Sequence, residues 1–167
     1  MTPLPTGLGG GPEIIGWRLD RDSYAPTWST GEGAFQVGGR WNSKGVRAVY
    51  ASLDPATAVL EVAVHKTFKT LDTVPHVLTW FEILDPARVK VVTAANVPNT
   101  NWLRPGAPSA GQQQFGDAIL QSGKFMVVPS AVSTHSWNVT FIADLVRGDF
   151  RALNQEAFAL DTRLHPP

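Results

Sequence analysis

Cysteine is absent from this chain, which excludes disulfides and thiolate zinc sites and suits a reducing compartment. Net charge is missing as well, because fourteen Lys and Arg residues balance fourteen Asp and Glu. That balance offers no global field to draw in nucleic acid or an anionic membrane. No apolar run approaches the roughly 18 residues of a spanning helix. The opening MTPLPTGLGGG has neither a positively charged start nor an apolar core, so no signal peptide is expected and the protein is expected to be cytoplasmic. Its GLGGG is no phosphate loop, since no strand leads into it and no helix opens after it. No internal repeat is visible.

What remains is one ordinary domain: 167 residues, 43% of them hydrophobic, enough for a core. Residues 1–13, rich in Gly and Pro, read as a flexible arm, and residues 14–167 as the domain. Strands are expected at Ile14 to Leu19, Arg47 to Ser52, His76 to Leu84, Val89 to Val92, Phe125 to Pro129, Trp137 to Ile142 and Ala157 to Leu160. Asp54-Pro55 reads as an N-cap followed by Pro at the first helical position, opening a helix to about Phe68. A second helix is expected from Gln112 to Ser122, with Phe115, Ile119 and Leu120 inward and Gly123 as its stop. Ser23 to Asn42 lacks a sustained period and reads as a long irregular loop of the kind that binds ligands. Many strands with few helices make an α+β domain, a mixed sheet core rather than a regular βαβ array.

Several residues could carry chemistry. Arg40 follows Gly38 and Gly39 in GGRWN, where glycine backbone gives access and a guanidinium fork suits phosphate oxygens; an ordinary glycine turn before a surface arginine fits equally well. Glu61 lies among the apolar residues of ATAVLEVAV, where a carboxylate needs hydrogen bonds or a cation unless it faces solvent. His65 four residues on gives at most two metal ligands, so no metal site is expected. Ser130 sits where the strand FMVVP leaves the sheet, and a turn-capping role competes there with a ligand contact. Of six tryptophans, Trp17, Trp80 and Trp137 fall in strands and read as core. Trp41, Trp28 and Trp102 lie in loops and read as candidate ligand contacts.

In order, GGRWN with Arg40, AVYAS with Tyr50, AVLEV with Glu61, VPSAV with Ser130 and the closing FALDTRL make the chain resemble the RES domain family from about Trp17 to Leu164. That family is named for an arginine, a glutamate and a serine in this order. The resemblance implies a fold related to ADP-ribosyltransferases, NAD as substrate with no separate cofactor, and the role of toxin in a bacterial toxin–antitoxin pair. It implies as partner a cognate antitoxin, of Xre-like type, that blocks the active-site cleft in a hetero-oligomer. By the same resemblance Arg40, Glu61 and Ser130 are the catalytic set, and Arg18, Tyr50, Trp41 and Asn138 contact NAD. After Asn138 the chain departs from the usual Asn-Pro turn and reads VTFIADLVRG. Hydrolysis of NAD, its phosphorolysis, ADP-ribose transfer to a protein, and a non-catalytic partner-binding role all remain open at this point.

Overall fold

The computed structural model describes residues 13–104, 106 and 108–164. The expected arm, apart from Glu13, lies outside them. Seven strands form one sheet: β1 (Ile14–Arg21), β2 (Val49–Ser52), β3 (His76–Ile83), β4 (Val89–Val91), β5 (Phe125–Pro129), β6 (Trp137–Phe141) and β7 (Phe150–Phe158). Their order is β4-β5-β6-β2-β1-β3-β7, with β4 and β5 parallel and the other neighbours antiparallel. The halves β4-β5-β6-β2 and β1-β3-β7 meet through a single registered pair, Trp17 with Ser52. Beside it the Arg18 guanidinium donates to the Tyr50 carbonyl at 2.6 Å and grips Asp20 with two hydrogen bonds of 2.6 and 2.9 Å. An arginine thus bridges the strands where ladder pairing ends.

Alternation splits the sheet residues between two faces. One face buries Ile14, Val49, Phe81, Phe125, Val127, Val139 and Phe141 in the main core, with Trp28 packed against it. The other is covered by helix α2 (Pro55–Thr73) over β1 and by helix α3 (Ala110–Gln121) with the Trp41 loop over β5 and Tyr50 of β2. The Asp54 carboxylate accepts from the Thr57 backbone N–H at 2.8 Å and from its hydroxyl at 2.7 Å, so α2 starts as its N-cap signal demands. It runs past Phe68 through a kink at Thr67, which has φ of 67°.

Two expectations need correction. Residues Ser23 to Asn42 are not wholly irregular: a 3-10 turn spans Asp22–Thr27 and a short helix α1 spans Glu32–Val37. Six residues give too few turns for a visible apolar period. Glu32 and Phe35 hold α1 in place, the first by an ion pair with Arg47 and the second under the Arg47 guanidinium, 4.3 Å from the ring centre. The last strand begins at Phe150, well before Ala157, and is exposed along most of its length. An edge strand with solvent on both sides carries no alternation to read. Its pairing with β3 slips between Trp80 and Phe81, so Leu153 bulges out of the ladder.

Candidate active site

Glu61 stands on α2, half-buried, and its Oε1 accepts two hydrogen bonds: from the Ser130 hydroxyl at 2.7 Å and from the Asn138 amide at 2.5 Å. Three segments separated by 69 and 77 residues thus meet at one carboxylate oxygen. Among the described residues its other oxygen, Oε2, accepts none. A carboxylate held by charge-assisted bonds on one oxygen is fixed in orientation while the second remains available.

Ser130 is fully buried. Its Oγ accepts from the backbone N–H groups of Val132 at 3.1 Å and Ser133 at 3.0 Å while donating to Glu61. The turn-capping reading holds, and the same hydroxyl also reaches Glu61. With its proton on Glu61 and its lone pairs engaged by the turn, Ser130 positions the carboxylate; it is not poised to touch a ribose or phosphate itself.

Arg40 is half-buried, and one of its N–H groups donates to the Trp102 carbonyl. The other guanidinium donors have no partner among the described residues. The loop that presents it is braced from two directions. From β2, the Tyr50 hydroxyl donates to Asn42 Oδ1 at 2.6 Å and accepts from the Trp41 backbone N–H at 3.0 Å. Asn42, fully buried, spends its amide group on the carbonyls of Ala34, Ser43 and Val46. From α3, Gln112 donates to the Arg40 carbonyl at 3.3 Å, Gln113 to the Gly39 carbonyl at 2.9 Å, and Asp117 accepts from the Ser43 N–H at 3.1 Å. Gly38 has φ of 76°, as a glycine hinge requires. Gly39 is needed for another reason, since a Cβ there would lie 2.5 Å from the Tyr50 hydroxyl oxygen.

Tyr50 and Ser52 sit two residues apart on β2, on the same face and about 7 Å apart along the strand. Tyr50 secures the Arg40 loop. Ser52 donates to Asn138 Oδ1 at 2.8 Å, and Asn138 in turn donates to Glu61. One strand therefore connects the cation and the carboxylate on one side of the sheet, although no hydrogen bond joins Arg40 to Glu61, Ser130 or Asn138. Burial, helped by the Asp117 carboxylate and opposed by the Trp41 N–H donor, pushes the Tyr50 hydroxyl well above an ordinary phenol, so it acts as a neutral brace.

Trp41, expected as a ligand contact, is instead buried: it is 3% exposed and packs on Trp102, itself 5% exposed, with ring centres 5.8 Å apart. The Met126, Val128 and Leu120 cluster beneath needs that apolar area. Trp28 likewise packs on Phe81 and Phe150. Of the tryptophans expected in the core, Trp137 is buried, whereas Trp17 and Trp80 stack on one another half-buried. Arg18 is committed to Asp20 and Tyr50, a bridge between strands that leaves only part of its fork for a ligand. Cavities of 410 and 300 Å³ lie elsewhere, one along Ala25, Pro26, Trp28 and Ala152 to Gln155, the other by Arg47 and Asp144. Among the described residues no group of three His, Cys, Asp or Glu could hold a metal, and no helix is long and apolar enough to cross a membrane.

Sequence reading missed Ser52, Asn42, Gln112, Gln113 and Asp117. The α3 residues had a signal: positions 112, 113, 116 and 117 form one stripe at 100° per residue, and Gly116 within it leaves room for another backbone.

The mixed seven-stranded sheet, with α2 and α3 on one face, defines a single α+β domain. A chain in a crystal structure of the M.tuberculosis MbcT-MbcA toxin-antitoxin complex is similar to it, with a TM-score of 0.69 at 19% identity over 88% of this chain and 85% of that one. The RES domain model matches residues 15–161, and the chain belongs to that family. It is similar to a Toxin Res of Photorhabdus laumondii, 30% identical over 161 residues, 90% of this chain and 97% of that protein. It is also similar to a Prs ADP-ribosylating toxin of a Sphingobium species, 34% identical over 131 residues, 74% and 78% of the two chains.

Proposed function

We propose that this protein is the NAD-consuming toxin of a bacterial toxin–antitoxin pair and that it breaks the bond between nicotinamide and ribose. The observation that carries this reading is the Glu61 carboxylate, pinned at Oε1 by Ser130 and Asn138 and without a hydrogen bond at Oε2 among the described residues. As the bond breaks, its electron pair leaves with nicotinamide and positive charge grows on the ribose. A preorganised carboxylate stabilises such charge without having to reorganise. Water or phosphate then adds to the anomeric carbon from solution, giving hydrolysis or phosphorolysis. The free part of the Arg40 fork suits the diphosphate, and stacking falls to the part of the Tyr50 ring that its packing leaves accessible.

The relative named as a Prs ADP-ribosylating toxin favours a second reading, in which a protein side chain replaces water as acceptor. The toxin names of the relatives and the toxin-antitoxin complex support a partner that restrains the enzyme. An Xre-like antitoxin lying over the site, in a cytoplasmic hetero-oligomer, fits that role. NAD serves as substrate, and no separate cofactor or metal enters the reading.

Product analysis after incubation with NAD, with and without phosphate, separates the routes, and a labelled protein band marks transfer. Glu61→Gln is expected to lower kcat by about two to three decades, and Arg40→Ala to raise KM. Full turnover by Glu61→Gln overturns the assignment.

A further inference from the structure

Ser52 is 2% exposed and lies in one cross-strand row with Trp17 of β1 and Asn138 of β6. It is placed too deep to meet a ligand, yet its hydroxyl proton has a defined destination, the Asn138 carbonyl oxygen. That bond matters because of what the other end of the amide does. Asn138 Nδ2 lies 2.5 Å from Glu61 Oε1, and a flipped amide would set its oxygen against the carboxylate, two acceptors facing one another. While Glu61 is ionised, only one amide orientation serves both neighbours.

We infer that Ser52 is a positioning residue of this site: its hydroxyl holds the Asn138 carbonyl and so keeps the Asn138 amide hydrogens on Glu61. The chain of contact is Ser52 to Asn138 to Glu61, with Ser130 closing on the same carboxylate oxygen from β5. Removing the Ser52 hydroxyl leaves Asn138 Oδ1 without its donor and lets the amide rotate away from the carboxylate. The carboxylate then keeps one donor of two, and Oε2 loses its fixed direction. Nothing in this relay touches the Arg40 loop, so substrate capture is spared.

The kinetic part of the test rests on the NAD-consuming reading; the spectroscopic part does not. In 15N-labelled protein the Asn138 side-chain amide, assigned by its loss in Asn138→Ala, should show one strongly downfield, slowly exchanging proton. Ser52→Ala should move that resonance towards a free amide and lower kcat about tenfold with KM unchanged. Ser52→Thr, which keeps the hydroxyl, should restore both. Ser52→Cys, close in volume and a weak donor, should resemble Ser52→Ala and serves if the alanine variant folds poorly. In an Asn138→Ala background Ser52→Ala should change kcat less than about twofold, because the relay is already cut. If Ser52→Ala leaves the Asn138 resonance in place, the inference is wrong. A wild-type protein that consumes no NAD overturns the proposed function, and the resonance still decides the role of Ser52.

Discussion

Thr140 is fully buried between Tyr50 and Met126, its partners in the neighbouring strands, and its hydroxyl is the one buried side-chain polar atom without a hydrogen bond among the described residues. Such a group costs stability that an apolar side chain of the same shape does not. Thr140→Val should therefore raise unfolding free energy by about 1 kcal/mol, seen as a higher urea midpoint with an unchanged slope. The same scale explains why the residues of the candidate site could be singled out in the sequence and their bonds could not. Arg40, Glu61 and Ser130 could be named from their order in the chain. That Ser130 spends its hydroxyl on Glu61, or that Trp41 turns into the core, depends on residues 69 and 61 positions away. Ser52 had no sequence signal beyond its parity with Tyr50 on a short strand.

Among the elements, α3 carries more of the site than its apolar stripe suggests. Its Gln112 and Gln113 hold the carbonyls of the Arg40 loop, and Gly116 lets the helix backbone close on Trp41: an added Cβ would lie 2.0 Å from the Trp41 carbonyl oxygen. Backbone cannot step aside as a side chain tip does. Gly116→Ala should therefore displace the loop, costing about 1 to 3 kcal/mol of stability and raising KM far more than it lowers kcat. Chemical denaturation and steady-state kinetics read the two effects; an unchanged KM would show that the brace does not set Arg40. Elements with strong local signals were the ones read correctly: Asp54-Pro55 announces α2, and the apolar runs announce β5 and β6. Helix α1 and the first part of β7 were missed because six residues are too few for periodicity and an exposed edge has none.

For the molecule as a whole, the seam between its two half-sheets is closed by one strand pair and the bond from Arg18 to the Tyr50 carbonyl, with Asp20 holding the guanidinium in place. Burial pushes the Asp20 carboxyl above its ordinary value of 3.8, outweighing the opposing pull of Arg18. An acid raised in the folded state binds its proton more tightly there than in the unfolded chain. Stability is thus fully favoured below the unfolded value and falls as pH rises from 3.8 through the folded value. Asp20→Asn removes that titration, so its stability relative to wild type should improve as pH climbs through this window. Thermal unfolding of both proteins across acid pH measures it, and a difference that is flat or of opposite sign would contradict the burial account.

At the far margin, Leu153 interrupts the ladder midway along an outermost strand that is otherwise open to water. A neighbouring molecule seeking to add its own strand there meets a buckled template, its backbone donors and acceptors out of step. The longest free margin of the sheet is therefore a poor template for fibril growth.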